Sequence, residues 1–211
     1  LHPSYRPRWE IYDDLLLSYL SKEKIWLDIG CGNNDHVSSF HDKVKQAAGI
    51  DIIRPKYLRA PFIQADMKAI PLKSNCADLI TLRFVVEHLK NIPQDLPEVL
   101  RVLKPDGHLI IFTTNTFSPF VFLPKLLPFS VKSFLIRLVF KIEAREIFPT
   151  YHRFNSPLQF KRIWQECELE KLLYIENIAA VNILMFTTSA IWYLLTKVKP
   201  MDMMRSNLLA V

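Results

Sequence analysis

Apolar positions recur along this chain in a few regular patterns. Residues 9–20 (WEIYDDLLLSYL) space them at helical intervals and predict an amphipathic helix. Residues 25–29 (IWLDI) are a short apolar run that ends at Gly30, the pattern of a strand buried on both faces. Residues 36–45 predict helix, 47–51 (AAGID) a second strand, 62–63 a third fragment and 77–83 (ADLITLR) a fourth strand. Residues 95–103 (DLPEVLRVL) predict a helix that stops at the turn Lys104-Pro105-Asp106-Gly107. The β-branched run 108–114 (HLIIFTT) predicts a fifth strand. Ser156 and Pro157 suit the N-cap and first position of a helix over 156–166. Residues 169–176 and 207–211 (NLLAV) complete the pattern as a sixth and a last strand. Strand and helix alternate, which argues for an α/β fold around a mainly parallel sheet.

Two stretches depart from that alternation. Residues 117–142 are rich in Phe, Leu, Val and Pro and carry Lys125, Lys132, Arg137 and Lys141 with no acid. Pro119, Pro124 and Pro128 are expected to break them into short helices. Residues 178–196 hold no formal charge over 19 positions and would form a helix about 29 Å long. That reaches the length of a membrane span. A strand at 207–211 makes a span topologically unfavourable, because it would separate two strands of one sheet. A helix on the domain, at the bilayer interface or on a dimer surface fits better.

At 211 residues, the length suits one domain, residues 1–211, with 117–153 as an insert and 178–198 as an apolar helix before the last strand. A hydrophobic fraction of 50% and a charged fraction of 23% exclude a disordered chain and a collagen. The net charge of +6 suits an anionic surface or ligand. No dense Lys/Arg run or basic-aromatic groove signals nucleic acid. Cys31, Cys76 and Cys167 are odd in number and far apart, with no metal-ligand spacing. They predict no disulfide framework, no metal site and a reducing, cytoplasmic setting. The chain opens on Leu1 without the charged-then-apolar pattern of a signal peptide.

Glycine is scarce, with only 4 residues, yet two of them close the first strand in Leu27-Asp28-Ile29-Gly30-Cys31-Gly32. In parallel sheets ligands bind beyond the carboxyl ends of strands, where glycine lets backbone turn and approach closely. Asp51 ends the second strand, where an acid can accept both hydroxyls of a ribose. Asp66 follows the third strand and could accept from an adenine amino group, and Asp78 opens the fourth. A nicotinamide-dependent dehydrogenase is the main rival. Its Gly-x-Gly-x-x-Gly fingerprint fails at Asp35, an acid that would face a pyrophosphate.

The runs IWLDIGCGNN, GIDI, IQADMKAIPLKSNCADLITLRFVVEHL and EVLRVLKPDGHLIIFTTN resemble the class I S-adenosylmethionine-dependent methyltransferases, nearest the broad type 11/25 group. The resemblance covers residues 22–116 well and 149–176 more loosely. It implies a Rossmann-like doubly wound sheet of seven strands, the last antiparallel, with a helical lid over 117–153. It implies S-adenosylmethionine as cofactor. Asp28, Gly30 and Gly32 then match the loop around the methionine part, and Asp51, followed by Ile52, matches the ribose site. Asp66 and Met67 match the adenine site. Leu82 and Arg83 match the end of the fourth strand, where backbone meets the cofactor's amino-acid end. Asn33-Asn34 stands where the family often has a third small residue, and Arg83 is bulkier than usual there.

Methyl transfer from a sulfonium requires alignment of donor and acceptor, and for a hydroxyl acceptor a base. His88 and His152 are the candidate catalytic residues, with Glu87 behind them; Tyr151 and Arg153 could hold an anionic substrate. The apolar and basic character of 117–142, beside the uncharged apolar run 178–196, points to a small or lipid-linked acceptor. It also points to peripheral membrane contact through these segments, or to a homodimer. A second reading is a degenerate methyltransferase fold that serves as a membrane-associated or partner-binding module.

Overall fold

The computed structural model describes residues 5–128, 130–131, 149–163, 167–178 and 182–211. The first helix, α1, is Arg8–Tyr19. It leads into β1, Ile25–Ile29, then α2, Asp35–Phe40, and β2, Gln46–Asp51. Strand β3 is Phe62–Gln64 and β4 is Ala77–Arg83, followed by a 3-10 turn at Val86–His88. Two short helices, α3 (Ile92–Asp95) and α4 (Pro97–Val102), precede β5, Leu103–Thr114. Then come α5 (Pro119–Lys125), α6 (Pro157–Ile163), β6 (Leu172–Ile175), α7 (Ile183–Leu195) and β7 (Asn207–Ala210).

The described strands form one seven-stranded sheet in the order β3-β2-β1-β4-β5-β7-β6. The first five run parallel, and β7 is antiparallel to both β5 and β6. Strand β1 lies between β2 and β4, and its side chains pack into a core on each face of the sheet, which its continuous apolar run reflects. Successive side chains go to opposite faces. Leu27 and Ile29 join Ile80, Leu82, Ile111 and Phe160 in one core. Trp26 joins Leu79, Ile110 and Phe112 in the other, closed by Tyr12 and Leu16 of α1 and Val37 of α2.

The structure departs from the sequence reading at several boundaries. The helix expected over 95–103 is split at Leu96-Pro97 into α3 and α4, because Pro97 brings no N–H to continue the first. Strand β5 begins at Leu103 and not at 108: Leu103 pairs with Ala77, Leu79 pairs with His108, and the intervening turn bulges out of the ladder. Pro119 opens α5, and Pro124 lies inside it near its end without breaking it. The helix expected over 178–196 spans 13 residues, about 20 Å, and none of the described helices is long and apolar enough to cross a membrane. Ser156 caps α6 as expected, its hydroxyl accepting from the Gln159 N–H at 3.3 Å; residues 164–166 lie outside the described residues. So do residue 129 and residues 132–148 of the expected lid and 179–181 of the expected apolar helix.

No helix joins β2 to β3. The sheet face there opens into a groove of about 630 Å³ lined by Leu27, Ala48, Ile63 and Leu72 with Lys45 and Lys73. The chain runs from β1 outward to β2 and β3, then crosses to β4 on the other side of β1. The crevice between those two halves, at the carboxyl ends of β1, β2 and β4, is where such folds accept ligands.

Candidate functional site

The loop after β1 is unusual backbone. Gly30 (φ 71°), Gly32 (φ 56°) and Asn34 (φ 64°) all adopt the left-handed conformation. A Cβ on Gly30 would lie 2.2 Å from Val85 Cγ2, whereas one on Gly32 would meet open space. The loop is tied to β2 by the Gly30 N–H, which donates to the Ile50 carbonyl at 2.7 Å. Asn34 is fully buried, and its amide donates to the carbonyls of Ala60 (3.3 Å) and Pro61 (3.2 Å). The residue that departs from the family pattern therefore keeps the turn and ties it to the approach to β3.

Asp51 stands at the end of β2 with its carboxylate held open by backbone. Gly32 N–H donates to Oδ2 and Ile53 N–H donates to Oδ1, each at 2.9 Å. Each carboxylate oxygen keeps a further acceptor position. Ile52 beside it is 56% exposed, an apolar platform. Asp66 is exposed after β3 and accepts the Lys68 N–H at 3.0 Å, while Met67 packs partly against the core. Leu82 is fully buried within β4. Asp78 lies at the opposite end of β4, engaged by Lys104 and the Ile25 N–H, and takes no part in this edge.

Asp28 and Arg83 meet as a buried ion pair, Arg83 Nη2 to Asp28 Oδ2 at 2.6 Å. Thr81 donates its hydroxyl to Asp28 Oδ1 at 2.6 Å, and the Trp26 indole donates to Thr81 at 3.0 Å. Arg83 also donates to His36 Nδ1 at 2.8 Å and lies under the Tyr12 ring. The acceptor role of Nδ1 leaves the proton on Nε2, which donates to Asp13 at 3.0 Å. Burial, reinforced by Arg83, pulls the His36 pKa down and keeps the ring neutral. Burial pulls the Arg83 pKa down, but Asp28 more than reverses this and holds the guanidinium charged. Burial pushes the Cys31 thiol up to about 12, so it is no nucleophile at neutral pH.

A second polar cluster gathers where β4 and β5 end. Glu87 is 4% exposed, and burial raises its carboxyl pKa to about 7. Thr113 donates its hydroxyl to Glu87 at 2.8 Å and in turn accepts from the Asn155 amide at 2.5 Å. Asn155 Oδ1 and Arg8 Nε are buried with no hydrogen-bond partner among the described residues. Polar atoms of this kind are costly unless a ligand or water completes them. Arg8 reaches in from α1, packed over the Phe84 ring, and its charge acts to lower the Glu87 pKa.

The candidate residues from the return segment arrive at the same place. The N–H groups of Tyr151 and His152 donate to the Glu87 carbonyl at 2.7 and 3.1 Å. His88 Nδ1 donates to the Pro149 carbonyl at 2.8 Å. His152 is buried at φ 48°, with Nδ1 3.4 Å from the Thr114 hydroxyl. Tyr151 carries Lys90 over its ring, and Arg153 is exposed. Arg8, Thr113 and Asn155 carried no sequence signal. They are single polar residues from three distant segments that only the sheet edge assembles.

The site fits an adenosyl sulfonium ligand. The left-handed loop leaves room at Gly32, Asp51 has acceptor positions to spare for a diol, and acids near a cationic sulfur carry no penalty.

A family model described as a methyltransferase domain matches residues 27–111. A demethylmenaquinone methyltransferase of Renibacterium salmoninarum is 30% identical over 108 residues, 44% of each chain. A ubiquinone/menaquinone biosynthesis C-methyltransferase of Campylobacter jejuni is 25% identical over 107 residues, 44% of this chain and 46% of that one. The chain thus spans less than half the length of the curated relatives it matches. The crystal structure of an S-adenosylmethionine-dependent methyltransferase from Archaeoglobus fulgidus superposes with a TM-score of 0.62 at 15% identity. It covers 96% of this chain and 91% of that one, a likeness of fold.

Proposed function

We propose that the chain is a class I S-adenosylmethionine-dependent methyltransferase, a reading supported by the methyltransferase-domain match over residues 27–111, and that it methylates a small or lipid-linked acceptor that gives up a proton. One observation carries the reading: the Asp51 carboxylate, held open by Gly32 and Ile53 N–H groups beyond β2, beside the left-handed loop. Asp51 accepts the ribose hydroxyls, Asp66 and Met67 border the base, and the backbone of Gly30, Gly32 and Leu82 meets the amino-acid end. Asp28 acts at one remove, by holding Arg83. When bound, the sulfonium supplies an electrophilic methyl group.

Glu87 is the base that the surroundings favour. Its pKa near 7 lets it take a proton from the acceptor at neutral pH, and its buried setting excludes competing water. Arg8 and Asn155 present a donor and an acceptor that can orient the acceptor beside it. His88 and His152 border this cluster; their backbone and ring bonds make them positioning residues for Glu87 and the return segment. A lipid-linked acceptor agrees with the exposed apolar residues of α5, and the two quinone-pathway names among the relatives support it.

Calorimetric titration with S-adenosylmethionine and S-adenosylhomocysteine, with NAD as control, tests the cofactor assignment. Micromolar binding of the first two and none of NAD is expected, with at least about a tenfold loss in Asp51→Ala, since a bond to a charged group is worth about 1.5–3 kcal/mol. Unchanged affinity in Asp51→Ala would overturn the site, and no binding at all would favour the degenerate module.

A further inference from the structure

Two helices far apart in sequence share one surface. Phe120 of α5 meets Trp192 of α7 edge to face, with ring centroids 6.0 Å apart. Around that contact α5 exposes Phe122 (48%), Leu123 (60%) and Leu126 (66%). Helix α7 exposes Ile183 (77%), Leu184 (69%) and Leu194 (49%). Soluble monomers rarely leave so many large apolar side chains together in water. Ser189 and Tyr193 of α7 are buried and Met185, Phe186, Ala190 and Trp192 half-buried, while the other seven residues of the helix are exposed.

The sequence of the two helices and their immediate flanks carries charge of one sign up to residue 201. Residues 117–128 and 182–201 contain no acid, while Lys125, Lys197 and Lys199 are present. Lys197 and Lys199 are exposed on either side of Val198, itself 65% exposed. Apolar faces bordered by lysine, without carboxylates to repel phosphate, complement an anionic bilayer interface. A helix of 13 residues is too short to cross it and suited to lie in it.

The placement relative to the site gives the surface a use. Helix α5 leaves β5 at its carboxyl end, and the segment after α7 returns through Met203 and Arg205, whose carbonyls accept from the Asn115 amide at 2.8 and 2.7 Å. Asn207, the first residue of β7, pairs with Thr114. Both helices therefore adjoin the edge that carries Glu87 and Asp51. We propose that α5 and α7 together form a docking face for an anionic membrane surface, which seats the carboxyl edge of the sheet at the bilayer where a lipid-linked acceptor resides. Docking stands on the surface alone; its use in delivering acceptor rests on the proposed activity.

Co-sedimentation of the full chain with vesicles tests it. Vesicles of phosphatidylcholine mixed with phosphatidylglycerol should bind at least about tenfold more tightly than phosphatidylcholine alone, since each lysine near such a surface contributes about 1 kcal/mol. Binding should fall as salt is raised. The double variant Leu123→Glu/Leu184→Glu should lose the vesicles and keep its S-adenosylhomocysteine affinity, which also shows that it folds. No pelleting at low salt, equal binding to neutral vesicles, or wild-type pelleting by the double variant would overturn the proposal. So would a dimer that the double variant disperses without any vesicle binding, because a second copy would then cover the face. Vesicle binding without cofactor binding would leave docking in place and overturn the proposed activity instead.

Discussion

Glu87 shows how one carboxyl group acquires a task from its surroundings. It sits in a 3-10 turn directly after β4, sealed from water, with Thr113 as its hydrogen-bond donor. Burial lifts its pKa from 4.5 to about 7. The folded carboxyl then keeps a proton that the unfolded chain has released. Its stabilising effect is fully present below about pH 4.5 and is lost as pH rises to about 7, by on the order of 3 kcal/mol for a shift of this size. Glu176, also raised by burial, acts in the same direction. Urea denaturation as a function of pH should show this decline in the wild type and a smaller one in Glu87→Gln. The same variant should lower kcat by roughly 10²–10⁴, and wild-type activity should rise through about pH 7 as the base ionises. In sequence, Glu87 and His88 are adjacent and the histidine is the more obvious base. Burial separates them, and burial is not visible in a dipeptide.

The elements divide between those that build the edge and those that cover it. Strands β1, β2, β4 and β5 were legible because a strand buried on both faces reads as an unbroken apolar run. Helix α1 was legible from its period, but its service to the site was not. It puts Tyr12 and Leu16 into the core against Phe112 and Trp26, and so carries Arg8 to the end of β5. Leu16→Ala should cost about 2–5 kcal/mol, read as a fall in the urea midpoint with little change in slope. A variant of unchanged midpoint would mean that α1 is not part of the cooperative core. The interruption at Pro97 and the early start of β5 escaped the sequence reading because both depend on pairing between distant residues: Leu103 extends the strand only because Ala77 is there to pair with it.

At the scale of the whole molecule, the sheet order creates the crevice and the surface helices give it a setting. A ligand that binds only the folded chain raises its stability, by about 2.7 kcal/mol at a hundred times its dissociation constant. S-adenosylhomocysteine at that ratio should therefore raise the Tm by several degrees in the wild type and much less in Asp51→Ala at the same concentration. An equal rise in both would place the ligand elsewhere. The sequence by itself determined the α/β class, the glycine turn after the first strand, the acids that follow the second and third strands, and the two acid-free apolar stretches. Each is a local pattern: a period, a turn residue, or a charge at a fixed offset. Only the tertiary structure decided that Asp28 is spent on Arg83, that Asn34 keeps the turn, and that Glu87 meets Thr113, itself bound by Asn155, within the field of Arg8. It also decided that α5 and α7, more than 50 residues apart in sequence, lie side by side. Those outcomes depend on burial and on contacts between distant segments, which arise only once the sheet has closed its order and the chain has lost the entropy of being apart.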